Sequence, residues 1–101
     1  MSQAARILIV DDESSIRLTL GALLQRAGYD VTSAENGPEA VAQLERQMFD
    51  LMLVDLKMPG MDGMQVVQAA RQRQADLAII VLTGHGSLDT AVEGLHQGIF
   101  D

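Results

Sequence analysis

Four polar residues stand where apolar runs end. Asp11 and Asp12 follow Ile7-Leu8-Ile9-Val10, Asp55 follows Leu51-Met52-Leu53-Val54, and Thr83 follows Ala78-Ile79-Ile80-Val81-Leu82. If the three runs are strands of one sheet and end on a shared edge, three carboxylates and a hydroxyl gather in one place. Carboxylates that close repel one another unless a cation sits between them. A hard divalent ion with oxygen ligands is the simplest solution, and Mg²⁺ suits a set of one or two carboxylates, retained waters and phosphate oxygens. Phosphoryl chemistry is then the first hypothesis, because a carboxylate can attack phosphorus when metal neutralises the incoming charge. Asp55 is the candidate acceptor, standing alone while the Asp11-Asp12 pair can hold the ion.

The elements that must position these residues are legible in the apolar spacing. Ile7 to Val10, Leu51 to Val54 and Ala78 to Leu82 are continuous apolar runs, the pattern of strands covered on both faces. Tyr29 to Ala34 alternates enough for a further strand. Helical stripes lie between them: Ile16, Leu20, Leu23, Leu24 and Ala27, preceded by serines that could cap the helix and closed by Gly28; Ala40, Val41 and Leu44, after the Asn36-Gly37 turn and with Pro38 suited to the first helical position; and Met64, Val67 and Ala70, with Arg71 and Arg73 at the far end. Leu88, Ala91, Val92 and Leu95 form a last stripe ending near Gly98. Strand and helix alternate four times with short connections, which calls for right-handed crossovers and helices on both faces of a parallel sheet. In such sheets ligands bind beyond the carboxyl ends of the strands.

Composition narrows the alternatives. At 101 residues the chain makes one domain, 1–101, and 48% apolar content supports a packed core. A formal charge of −7 with seven scattered basic residues argues against a nucleic-acid surface. There is no cysteine, hence no disulfide or thiolate metal site, and no apolar run nears the roughly 20 residues of a membrane span. Met1 to Arg6 lacks the features of a signal peptide, so a cytoplasmic domain without membrane contact is expected.

With these residues in hand the chain resembles the receiver domain of two-component response regulators. ILIVDDE at Ile7 to Glu13, DLMLVDLKMPGMDG at Asp50 to Gly63 and VLTGHGS at Val81 to Ser87 match the family in order and spacing. The resemblance implies a flavodoxin-like, doubly wound parallel sheet of strand order 2-1-3-4-5, and phosphorylation of Asp55 by a sensor histidine kinase. It also implies Mg²⁺ held by Asp12 and Asp55 with Asp11 nearby, the main-chain carbonyl of Lys57 as a further ligand, and Thr83 as the hydroxyl that turns toward the phosphoryl group. A separate C-terminal output domain, DNA-binding in transcription-regulating members, would read the switch. The family's lysine at the end of a fifth strand has no counterpart before Asp101, and the single lysine is Lys57. The expectation is therefore strand order 2-1-3-4 with the fifth strand and helix missing, an incomplete receiver whose fourth strand is an apolar edge open to homodimer formation.

Competing readings are weaker. An aspartyl-nucleophile phosphatase or mutase commonly carries a second Asp two residues after the first, where this chain has Lys57, so an enzyme is not expected. A nucleotide- or flavin-binding module needs glycine in the first strand-to-helix turn, which here reads Asp-Asp-Glu-Ser-Ser. The remaining alternative is a truncated, non-phosphorylated scaffold that dimerises through the fourth strand. His85 and His96 have no partner at ligand spacing and are read as exposed positions, Phe100 precedes the family's switch aromatic, and Met58, Met61 and Met64 are read as filling space under the loop.

Overall fold

Apolar runs bounded by acids and glycines become strands when both of their faces can be covered, and here they can. The computed structural model describes residues 4–56, 58, 60 and 62–82. Along these residues β1 (Arg6–Val10), α1 (Ser14–Arg26), β2 (Asp30–Ala34), α2 (Gly37–Arg46), β3 (Leu51–Asp55), α3 (Gly63–Arg73) and β4 (Ala78–Leu82) alternate. The strands form one sheet in the order β2-β1-β3-β4, all parallel. This is the expected doubly wound, flavodoxin-like topology. Among the described residues no helix is long and apolar enough to cross a membrane.

Each strand presents alternate residues to opposite faces. Leu8, Val10, Met52, Val54 and Ile79 pack with Ala40 and Leu44 of α2 and Val66 and Ala70 of α3. Ile7, Ile9, Leu53, Ile80 and Leu82 lie on the other face with Leu20 of α1, flanked by the half-buried Ile16 and Leu24. Burying each such side chain contributes about 1.5–3 kcal/mol, so two-sided coverage accounts for the apolar continuity of the strands.

Helix ends follow local chemistry, with some departures from the expected boundaries. α1 stops in a Schellman arrangement: Gly28 takes φ +100°, its N–H donates to Gln25 and the Tyr29 N–H donates to Leu24. Its start differs from expectation, because Ser14 and Ser15 lie inside the first turn and Glu13 is the N-cap, without a side-chain cap. Leu23 and Ala27 face solvent, so the buried stripe of α1 is narrower than its apolar spacing suggests. α2 begins at Gly37, which puts Pro38 at the second helical position, and Asn36 Oδ1 accepts from the Glu39 N–H at 2.9 Å. In α3 Val66 and Ala70 are buried and Val67 is half-buried against the core, whereas Met64 is half exposed; Gly63 holds the buried position at its start. Met58 is buried in the core as a gap filler, while Met61 lies outside the described residues.

One buried polar residue escaped the pattern. Gln74, 2% exposed at the end of α3, accepts from the Phe49 N–H at 2.9 Å and donates to the carbonyls of Leu44 at 2.9 Å and Gln47 at 2.8 Å. It thereby locks the end of α2 and the approach to β3 against α3. Gln74→Leu keeps the volume but withdraws all three bonds, so it should lower the unfolding free energy by about 2–3 kcal/mol in urea denaturation.

Candidate functional site

The register of the sheet decides which side chains meet. Val10 pairs with Ala34 on one side and with Val54 on the other, and Asp55 pairs with Leu82. Two backbone bonds extend this alignment past the strand ends: the Asp11 N–H donates to Ala34 at 3.2 Å and the Leu56 N–H to Leu82 at 3.2 Å. Asp11 and Asp55 are thus held on neighbouring strands at the same edge. Carboxylate oxygens of Asp11, Asp12 and Asp55 all lie within 4.8 Å of one another, with Asp11 and Asp55 buried and Asp12 exposed. The structure brings together the three acids singled out from the sequence. Thr83 and Lys57 lie outside the described residues, as do His85, His96 and Phe100, the expected helical stripe from Leu88 to Leu95 and every expectation about a fifth strand, while β4 stands at one end of the described strand order.

The loop after β3 is closed from behind. The Gly63 N–H donates to the Leu56 carbonyl at 3.2 Å, and Gly60 turns the chain at φ +79°. Asp62 and Gln65 form a capping box: Asp62 Oδ1 accepts from the Gln65 N–H at 3.0 Å, and Gln65 Oε1 accepts from the Asp62 N–H at 2.9 Å. The Asp-x-x-Gln spacing carries that signal in the sequence. A Cβ on Gly63 would stand 2.6 Å from the Leu56 Cα and press on the Asp55 carbonyl. Backbone approaches this closely only because position 63 lacks a side chain.

The Asp11 carboxylate is only half satisfied. Oδ1 accepts from the Glu13 N–H at 2.9 Å, an Asx turn that leads the chain into α1. Oδ2 is buried and has no hydrogen-bond partner among the described residues. A buried carboxylate oxygen without a donor is costly. Burial pushes the Asp11 carboxyl above its ordinary value of 3.8, the Glu13 N–H pulls the other way, and the charges of Asp55, Asp12 and Glu13 add to the rise. An orphaned oxygen beside two further carboxylates, all hard oxygen donors, fits a divalent cation held by Asp11, Asp12 and Asp55.

Two outcomes follow for the metal-free protein. Gly63→Ala should destabilise it by about 1–3 kcal/mol through overpacking against the Asp55–Leu56 backbone, measured by thermal or urea unfolding. Asp11→Asn should raise the urea midpoint at neutral pH, since it removes a penalised charge. As pH rises above 3.8 the unfolded chain loses the Asp11 proton before the native state does, so stability falls until the native carboxyl has ionised as well. The advantage of the Asn variant should therefore shrink as pH falls toward 3.8.

Comparison with known proteins agrees with this geometry. The family model of the response regulator receiver domain matches residues 7–101. The chain is 42% identical over 99 residues to the DNA-binding transcriptional regulator NtrC of Salmonella typhimurium, covering 98% of this chain and 21% of that protein. It thus spans about a fifth of the length of this curated relative. Among solved structures, response regulator TrrA of Thermotoga maritima, in complex with Mg²⁺-BeF, superposes with a TM-score of 0.74 at 39% identity, over 89% of this chain and 80% of that one. A response regulator of Burkholderia pseudomallei, carrying a phosphorylated aspartic acid, a calcium ion and citrate, gives a TM-score of 0.77 at 33% identity, over 93% of this chain and 55% of that one. The chain belongs to the response regulator receiver domain family.

Proposed function

We propose that this domain is a phosphorylation-dependent signalling switch whose phosphoacceptor is Asp55 and whose donor is a sensor histidine kinase. The observation that carries the reading is the convergence of Asp11, Asp12 and Asp55 within 4.8 Å at one sheet edge. The relatives add support: one solved regulator of this fold carries a phosphorylated aspartic acid and another is complexed with Mg²⁺-BeF.

In this reading an Asp55 carboxylate oxygen attacks the phosphorus of a phosphohistidine. A new O–P bond forms, the P–N bond breaks, and the imidazole leaves with the bonding electrons and takes up a proton. Asp11, Asp12 and Asp55 would hold Mg²⁺, and the Lys57 main-chain carbonyl would supply a further oxygen. Bound there, Mg²⁺ neutralises the carboxylates and the incoming phosphoryl oxygens. The apolar sheet beneath keeps Asp55 buried and fixes its approach, and Gly63 keeps the backbone behind it in place. Thr83, which follows β4, is the hydroxyl that turns toward the phosphoryl group in the activated state. That turn redistributes two conformations of the domain. A C-terminal output domain, DNA-binding as in NtrC, reads the change, and the setting is cytoplasmic.

The full-length protein, incubated with acetyl phosphate and Mg²⁺, should gain the mass of one phosphoryl group, mapped to Asp55. Asp55→Asn should abolish the gain, and chelating the metal should suppress it. Unchanged modification of the Asn variant, or no modification of the wild type with Mg²⁺ present, would refute the assignment.

A further inference from the structure

One cation is built into the edge of the acidic cluster without belonging to it. Arg17, one turn into α1, donates from Nη1 to the main-chain carbonyl of Asp11 at 2.7 Å. Its Nη2 lies 3.7 Å from Glu35 Oε2, just past β2, and its side chain is only 17% exposed. The guanidinium therefore ties three segments together: the turn after β1, the first turns of α1 and the exit of β2. A charge-assisted bond of this length to a neutral carbonyl is stronger than an ordinary one and directional at both ends.

That bond falls on the peptide group between Asp11 and Asp12. Asp11 has a second anchor in its carboxylate, through the Glu13 N–H. Asp12 does not: it is exposed, and among the described residues no hydrogen bond to its side chain holds it over the cluster. The direction of the Asp12 Cα–Cβ bond is then set by the backbone alone, and Arg17 is the side chain that clamps this backbone. We infer that Arg17 is a positioning residue for the acidic cluster, clamping the Asp11–Asp12 peptide so that the Asp12 carboxylate faces Asp11 and Asp55. The inference rests on the metal-binding reading above and extends it to a residue outside the acids themselves.

Charge and geometry make opposite demands here, which gives the test its sign. If Arg17 acted only as a nearby positive charge, its removal would tighten cation binding, and replacement by Lys would change nothing. If it clamps the peptide, both changes weaken binding, because Lys lacks the planar fork that reaches the carbonyl and Glu35 together.

The measurement is a Mg²⁺ titration of the full-length protein followed by the amide resonances of Asp12 and Glu13, at a temperature where every variant is folded. Arg17→Met and Arg17→Lys should each raise the dissociation constant by roughly 10-fold, the scale of outer-shell losses at metal sites. In the metal-free protein, exchange of the Glu13 amide should accelerate in both variants relative to the core amide of Leu8, whereas a general loss of stability would move the two together. Tighter binding by the Met variant, unchanged binding by the Lys variant, or parallel exchange at Glu13 and Leu8 would overturn the inference while leaving the metal reading intact. A wild type that binds no Mg²⁺ would overturn both.

Discussion

Like charges do not share a buried corner unless something forces them to, and in this domain the forcing agent is parallel strand pairing. β1 and β3 are neighbours in register, so the residues that end them emerge side by side. The bonds from the Asp11 N–H to Ala34 and from the Leu56 N–H to Leu82 carry that alignment one residue beyond the regular ladder. The apolar side chains of both strands are committed to the two covered faces and cannot turn to relieve the crowding. The hydrophobic effect thus holds Asp11 beside Asp55, and in the proposed reading the resulting repulsion is what a bound cation would relieve.

Much of the remaining structure protects this arrangement. The Gly63 contact lets the loop after β3 fold back against the Asp55 carbonyl, and the Asp62–Gln65 capping box starts α3 at that point. At the opposite end of the sheet, Gln74 fastens α3 to α2 and to the approach of β3, so the strand carrying Asp55 is anchored at both ends. The Asx turn through Asp11 Oδ1 serves two purposes, since it feeds the chain into α1 and leaves Oδ2 as the half of the carboxylate without a protein donor.

The sequence made the strands and the three acids legible because both rest on strong local signals. Continuous apolar runs that end in Asp have few other readings, and four alternations of strand and helix restrict the topology to a parallel sheet. What was not legible depended on contacts distant in the chain. Nothing local marks Gln74 as buried, since its partners lie on α2 and the segment after it. Arg17 resembles any basic residue on an amphipathic helix until the fold brings the Asp11 carbonyl and Glu35 within its reach. The first turn of α3 shows the same limit at finer scale: Val67 and Ala70 of the expected stripe pack inward, but the helix start is buried through Gly63 and Val66 while Met64 is half exposed. The serines before α1 misled for a related reason, because the Asx turn at Asp11 starts the helix before they can cap it.

In this reading the three carboxylates form one cation site at the sheet edge. Crystals of the full-length protein grown with Mn²⁺ in place of Mg²⁺, and measured for the anomalous signal of manganese, decide the matter. A single strong peak is expected within direct bonding distance of carboxylate oxygens from Asp12 and Asp55, with Asp11 bonded directly or through one water. A manganese peak elsewhere on the domain, with none among these three acids at saturating concentration, would contradict it.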